Sequence, residues 1–317
     1  MREAKSAIML AAAAIVLLSG CSGSQSPYTI VPNGPAQNSS LRNPATVLAA
    51  LKYARAKIPR DLFVADSGNG AVELLHNTSY RDVGAITSGI DYPVDVFLDA
   101  KANLYVANDV GGDVAEYASG NTGSPNFVYS SGLACPLAVT TDAHDNVFVG
   151  DCGANLTEYF QDVNHPAAQC NAGGLVSGIA VDAAGDVFAS TFNSGLYNLV
   201  EYPGGLKNCN KIVLSVQIPA PHGIALDKND NLLVAAQNSV VVVPPPYSSV
   251  SGTIGSGFIA AITVRLNRGN TEAFVADIEN ETVTIVSYPG GTNITVLGLQ
   301  NGLGEPTAAV DWPNAVY

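Results

Sequence analysis

The stretch Pro221-His-Gly-Ile-Ala-Leu-Asp227, followed by Asn231-Leu-Leu-Val-Ala-Ala236, decides the fold. Two apolar segments flank a polar turn of the form Asp-x-x-x-Asn, in which short polar side chains can bond the local backbone. Segments of this length with a turn of this kind predict a β-strand, a tight turn and a second β-strand.

The same pattern recurs along the chain. Copies begin at Pro93, Pro136, Val176 and Pro221, and a looser copy begins at Ile259. The intervals between starts, including the final segment at Pro306, run from 38 to 47 residues. Segments such as Val114–Tyr117 and Asn126–Tyr129 predict a third and a fourth strand in each copy. Four strands per forty-odd residues is the content of a propeller blade, and a solenoid is the alternative.

The two ends of the repeat region predict closure of a ring. Asp61-Leu-Phe-Val-Ala-Asp66 is a second strand without its own first strand, and Pro306-Thr-Ala-Ala-Val-Asp311 supplies the missing one. Sharing a blade in this way removes an exposed sheet edge. We therefore predict an all-β, six-bladed β-propeller with four-stranded blades over residues 61–317, closed by N- and C-terminal strands in one blade.

The motif Pro-x-Gly-Ile-Ala-Leu-Asp, followed by Asn-Leu-x-Val-Ala, resembles the NHL-repeat six-bladed propellers. Their relatives include gluconolactonase-like enzymes and virginiamycin B lyase, and the resemblance covers roughly residues 61–317. It implies a fold and leaves the function open, because the motif records strand packing and turns.

The first 21 residues predict export and lipidation. Arg2 and Lys5 precede the apolar run Ala7–Leu18, which is shorter than the about 20 residues that a spanning helix needs. Leu18-Ser19-Gly20-Cys21 then resembles the lipobox of bacterial lipoproteins, in which the cysteine is lipid-modified. The residue after the cysteine is Ser22, whereas the inner-membrane retention signal resembles Asp at that position. We expect a lipoprotein of the cell envelope, in the outer membrane if the cell has one.

Composition sets the remaining boundaries. Residues 1–20 are the predicted signal peptide, residues 21–43 are a lipidated Cys with a flexible tether rich in Ser, Gly and Asn, and residues 44–60 are a short lead-in with possible helical character. The formal net charge of −13 excludes nucleic acid as a partner, because phosphates would be repelled.

Four cysteines remain once Cys21 is set aside, and an even number in an exported chain predicts disulfides. With a hairpin turn centred on Ala143 and His144, facing residues share an index sum of 287, which is the sum for Cys135 and Cys152. This predicts the Cys135–Cys152 bridge and leaves Cys170–Cys209 to join neighbouring blades.

His222 is the candidate general acid/base or ligand, because it occupies the second position of its copy, where the first strand enters from the channel rim. Its counterparts are predicted to be Val94, Leu137, Ser177, Ala260 and Thr307. The alternative is a polar residue that caps the start of a strand.

Oxygen side chains at the ends of second strands form a candidate metal site. The residues are Asp66, Asn108, Asp151 and Asp277, and such oxygens suit a divalent cation, Ca²⁺ or Mg²⁺. The alternative is that they stabilise turns locally. No phosphate loop, dinucleotide fingerprint or nucleophile elbow is present, so we predict no other cofactor.

Two functions follow from these features. The favoured one is a monomeric, membrane-anchored binding or scaffold module whose propeller rim takes a protein, peptide or glycan. The second is a metal-assisted hydrolase or lyase, of the gluconolactonase-like or lyase type, that acts at the central channel.

Overall fold

The computed structural model describes residues 61–76 and 78–311. The predicted signal peptide, the lipidation site Cys21, the tether and the lead-in lie outside the described residues. Within the described residues, 24 β-strands form six antiparallel sheets of four strands, with one 3₁₀ turn at Leu299–Asn301. The predicted β-propeller is confirmed. The described part of the chain holds no helix with the length and hydropathy that a membrane crossing needs.

Each blade extends from an innermost strand at the channel to an outermost strand at the surface. Blade 1 contains β24 (Pro306–Asp311), β1 (Asp61–Asp66), β2 (Ala71–His76) and β3 (Asp82–Ile86). Blade 2 contains β4 (Pro93–Leu98), β5 (Leu104–Asn108), β6 (Asp113–Tyr117) and β7 (Phe127–Tyr129). Blade 3 contains β8 (Pro136–Thr141), β9 (Val147–Asp151), β10 (Asn155–Tyr159) and β11 (Pro166–Asn171).

The other three blades follow the same order. Blade 4 contains β12 (Leu175–Val181), β13 (Val187–Asn193), β14 (Leu196–Tyr202) and β15 (Ile212–Val213). Blade 5 contains β16 (Pro221–Leu226), β17 (Leu232–Ala236), β18 (Ser239–Val243) and β19 (Gly252–Ile254). Blade 6 contains β20 (Ala261–Leu266), β21 (Glu272–Asp277), β22 (Thr282–Ser287) and β23 (Asn293–Leu297).

Blade 1 closes the ring as predicted. β24 pairs antiparallel with β1, with Phe63 opposite Val310 and Leu62 opposite Asp311. The innermost strands of neighbouring blades pack side by side around a central channel. The chain therefore joins its last strand to its first, and no innermost strand is left without neighbours.

The turns between first and second strands follow the predicted Asp-x-x-x-Asn rule. Asp227 Oδ1 accepts hydrogen bonds from the backbone N–H groups of Asn229 and Asn231, both at 2.8 Å. Asp99 binds Lys101 and Asn103 in the same way. The carboxylate thus replaces the backbone partners that a tight turn leaves unpaired.

The core lies between the blades. The buried apolar residues of the described chain form six clusters, and each cluster draws on two neighbouring blades. One such cluster packs Tyr105 and Tyr129 of blade 2 against Val149 and Tyr159 of blade 3. Each blade therefore buries both of its faces, which is why its strands carry apolar residues on both sides.

Both predicted disulfides are present. Cys135 and Cys152 have Cα atoms 5.5 Å apart, and Cys170 and Cys209 have Cα atoms 5.4 Å apart. The register of the first pair needs one correction, because β8 and β9 pair with an index sum of 288 and a β-bulge at Leu137 lowers it to 287 just before the cysteines. Two disulfides are typical of proteins in an oxidising compartment.

The propeller has two faces, which we name by topology. The front face carries the loops that lead into innermost strands and the turns between second and third strands. The back face carries the turns between first and second strands and the connections between third and fourth strands. Innermost strands begin at the front face and end at the back face.

Candidate functional site

A ring of β-bulges surrounds the front mouth of the channel. In every blade the pairing register between the first two strands shifts near the start of the innermost strand, at its third residue in blade 4 and at its second residue in the other five blades. The bulged residues are Val94, Leu137, Ser177, His222, Ile262 and Thr307. The predicted ring was wrong at one place: Ile262 takes the position assigned to Ala260, because β20 begins two residues later than its looser repeat suggested.

His222 is the one titratable residue of this ring. Its imidazole is half-buried, and its ring centroid lies 6.3 Å from that of Tyr197 in an edge-on arrangement. Burial lowers the pKa of His222 to about 4, so the imidazole is neutral at pH 7. Gly223 lets the neighbouring strand approach, because a Cβ there would lie 2.7 Å from the Cα of Thr263. His222 therefore offers a neutral hydrogen-bonding group at the front mouth.

Three of the four candidate metal ligands clamp the loop that enters their own blade. Asp277 accepts hydrogen bonds from the N–H groups of Ile259 and Ala260, at 2.7 and 3.0 Å, and from Asn280. Asp66 and Asp151 accept backbone N–H bonds from the corresponding loops in blades 1 and 3. Each carboxylate is fully buried and its oxygens are used by N–H donors.

Asn108 plays the same part in blade 2. Its Oδ1 accepts the N–H of Asp91 at 3.2 Å, and its Nδ2 donates to the carbonyl of Gly89 at 2.9 Å. These contacts favour the turn-stabilising interpretation of all four strand-end residues. Among the described residues, the group of His, Cys, Asp or Glu ligand atoms within 4.8 Å of one another is Cys135, Asp151 and Cys152, and both cysteines are in a disulfide. The metal site stays a prediction.

An ion pair inside the channel was missed by the sequence analysis. Arg265 of blade 6 contacts the carboxylate of Asp95 in blade 2, and it also donates to the carbonyl of Val139 in blade 3 at 2.9 Å. Asp95 in turn accepts the N–H of Val139 at 2.9 Å. Arg265 is 7% exposed and lies over the ring of Phe97. The pair therefore satisfies both backbone groups of Val139 and links three blades.

A cavity of about 310 Å³ opens at the back mouth of the channel, where innermost strands from all six blades end. Three of its polar side chains are engaged in structural contacts: Asp99 holds a turn, Asn270 accepts the N–H of Lys228, and Arg265 pairs with Asp95. Asp311 differs, because its Oδ1 has no hydrogen-bond partner among the described residues and burial raises its pKa to about 7. The cavity is therefore at the opposite end of the channel from His222 and from the strand-end oxygens.

Four exposed aliphatic side chains lie on front-face loops, and Phe160, Val163 and Val250 are exposed on back-face connections. Val110 is 53% exposed, Leu196 70%, Ile259 51% and Leu299 83%. They come from blades 2, 4 and 6 and from the loop that leads into blade 1. Next to Leu196, the rings of Phe192 and Tyr197 pack at 4.6 Å, and Tyr197 faces His222.

The front face also holds a buried acid, Asp109, with one unpaired carboxylate oxygen. Asp109 is 2% exposed, and its Oδ1 has no partner among the described residues. Burial, together with the nearby charge of Asp151, raises the pKa of Asp109 to about 6. Its neighbour Val110 projects into solvent. This loop therefore combines an exposed apolar tip with a buried carboxylate whose charge the rest of the loop does not neutralise.

Comparison with known proteins identifies the fold alone. No protein-family model matches the chain, and no curated protein sequence matches it. A Bacteroides caccae protein of unknown function aligns with a TM-score of 0.64 and 11% identity over 81% of this chain and 100% of that one. A chain of a nidogen/laminin complex aligns with a TM-score of 0.64 and 13% identity over 80% and 98%. At such identities the likeness extends to the architecture only.

Proposed function

We propose that the protein is a cell-envelope lipoprotein of NHL-repeat type whose propeller binds a protein or peptide through its front face. The observation that carries this proposal is the set of exposed aliphatic side chains Val110, Leu196, Ile259 and Leu299 on front-face loops. Loops held by a rigid scaffold are typical interaction sites, and these four side chains lie on four such loops. A glycan partner is the alternative within the same class.

The aromatic group beside the channel mouth supports a partner that reaches the centre of the face. Phe192 and Tyr197 lie on the long hairpin β13–β14, and the ring of Tyr197 lies 6.3 Å from that of His222. Tyrosine at a rim offers a large contact area and a hydroxyl, and aromatic side chains dominate binding energy in many interfaces. The neutral His222 then supplies a donor or acceptor at the floor of the site.

The similarity to a chain in a nidogen/laminin complex is in keeping with a binding role, since that structure contains a complex of two proteins. The alternative of a metal-assisted hydrolase or lyase at the channel has less support. Its oxygen ligands already accept N–H hydrogen bonds, and burial lowers the pKa of His222 to about 4, which makes its neutral form a weak base.

Site-specific photo-crosslinking in the producing cells tests the binding role. A photoreactive residue at Leu196 or Ile259 should yield a covalent adduct of one defined mass. The matched controls are Phe160 and Val163, which are 56% and 41% exposed on the back face. Adducts of equal yield from both faces, or none from the front face, would overturn the proposal.

Fractionation tests the anchor separately. The unaltered protein should sediment with membranes and incorporate labelled fatty acid, and Cys21→Ser should abolish both. Because two acyl signals are needed for stable anchoring, the lipidated cysteine must carry more than one chain. A membrane-bound, unlabelled Cys21→Ser protein would contradict the lipoprotein assignment and leave the binding role untouched.

A further inference from the structure

The charged residues of the front-face loops are all acidic, whereas those of the back-face connections are of both signs. Twelve loops and turns form the front face in the described chain, and none contains Lys or Arg. Their charged residues are Asp91, Asp109, Glu279, Glu281 and Glu305. The connections of the back face mix both signs, with the cations Arg81, Lys101, Lys207, Lys211, Lys228 and Arg268. The ammonium of Lys211 reaches the front-face loop between blades 3 and 4, where it donates to the carbonyl of Ala172 at 2.9 Å.

Acidic and aliphatic side chains lie side by side at blade 6. The turn that carries Glu279 and Glu281 is joined to the loop that carries Ile259, because Ile278 N–H donates to the carbonyl of Ala260 at 3.1 Å. Asn280 Nδ2 adds a second bond between them, to the carbonyl of Gly257 at 3.0 Å. Both glutamates are exposed, as is Ile259.

The arrangement continues into blade 1. The loop of Leu299 passes the same turn, since a Cβ on Gly298 would lie 3.3 Å from the carbonyl oxygen of Glu281. Burial raises the pKa of Glu305, and the charge of Glu281 raises it further. Neighbouring carboxylates that repel each other leave this part of the face with an uncompensated negative potential.

The acidic surface of blades 6 and 1 extends to blade 2 through Tyr92. The carbonyl of Tyr92 accepts the N–H of Asp109 at 3.1 Å, which sets Tyr92 beside the loop of Val110. Burial raises the pKa of the Tyr92 phenol, and the charge of Glu305 is the next cause. We name this surface the acidic arc; it consists of Ile259, Glu279, Glu281, Leu299, Glu305, Tyr92, Asp91 and Val110.

We propose that the acidic arc binds a cationic segment of a partner protein, in which Lys or Arg side chains alternate with apolar ones. This inference rests on the proposed function and specifies its partner. Exposed carboxylates would attract the cations, and Ile259, Leu299 and Val110 would bury the apolar side chains. The arc spans three blades, so an extended or helical segment fits it better than a single side chain does.

Fluorescence anisotropy with defined peptides tests the proposal on the full chain in detergent. The probe is a short labelled peptide that alternates Lys with Leu. It should bind at low salt and weaken as salt is raised. The same peptide with Glu in place of Lys should not bind, and the one with Ser in place of Leu should bind about tenfold more weakly.

Matched variants locate the binding site. Replacing Glu279→Gln and Glu281→Gln together should weaken the Lys–Leu peptide about fivefold, since exposed pairs contribute modestly. The control is Asp162→Asn with Asp230→Asn, which removes two exposed back-face charges and should change nothing. Equal weakening of peptide binding by both pairs of substitutions, or failure of the peptide to bind, would overturn the proposal of a cationic partner. The photo-crosslinks at Leu196 would still decide the binding role itself.

Discussion

The two faces of the propeller are built by different rules. On the back face, turns such as Asp227–Asn231 repeat one hydrogen-bond pattern, and Lys101 forms an ion pair with Asp145 at 2.6 Å. On the front face, the loops differ in length, expose aliphatic tips and carry acids with no nearby cation. The back-face turns therefore share one hydrogen-bond pattern, whereas the front-face loops differ from blade to blade and place exposed acidic and aliphatic side chains together at blades 6 and 1.

The largest effect is expected in the channel between the two faces. Replacing Arg265→Met leaves the carboxylate of Asp95 buried and unpaired, which should lower the free energy of unfolding by about 3–5 kcal/mol. Urea unfolding measures the loss. Adding Asp95→Asn to Arg265→Met removes the stranded charge and keeps an acceptor for Val139 N–H, so it should recover a clear part of the stability. A double variant as unstable as the single one would show that the pair itself is not the cause.

The carboxylates that bind backbone N–H groups should contribute equally to stability on the two faces. Asp277→Ala on the front and Asp227→Ala on the back each remove several hydrogen bonds to N–H groups, and each should lower stability by about 2–3 kcal/mol. Thermal unfolding of the unaltered protein should be the same in EDTA and in Ca²⁺ or Mg²⁺. A higher midpoint in Ca²⁺ that Asp277→Ala abolishes would instead establish the metal site.

A smaller, pH-dependent effect should distinguish the front face. The pKa of Asp109 is raised to about 6 in the folded state, so the folded protein holds this proton more tightly than the unfolded chain. The residue therefore costs stability as the pH rises from about 4 through about 6. Asp109→Asn should gain up to about 3 kcal/mol at pH 8 and little at pH 4. An Asp109→Asn gain that is independent of pH would contradict the assignment.

Most of the fold could be predicted from the repeated sequence pattern. Strand content, blade number and closure through Pro306–Asp311 follow from a local pattern that recurs along the chain. The disulfides follow instead from the even number of cysteines and the index sum of one hairpin. The misplaced Ala260 shows the limit, because a looser copy slides by two residues without losing its apolar pattern. Only the bulge in the folded register identifies Ile262 as the counterpart of His222.

The site was harder to predict, because its features are departures from the repeat. Asp95 stands where other copies have Ala138 or Gly223, and Arg265 stands where they have Ala225. Two opposite charges at strand positions that are otherwise small or apolar are a signal that the sequence does contain. That they meet across the channel depends on ring closure, which pairing rules within one blade do not reveal. The acidic arc likewise brings together loops up to 214 residues apart, from Asp91 to Glu305, only once the ring has formed.

Hydrogen–deuterium exchange of the full chain, with and without the Lys–Leu peptide, tests the central claim most directly. The account predicts slower exchange in the front-face segments 255–260, 278–281 and 298–305, with no change in the back-face turns 99–103 and 227–231. Protection confined to the back face, or spread equally over both faces, would contradict it.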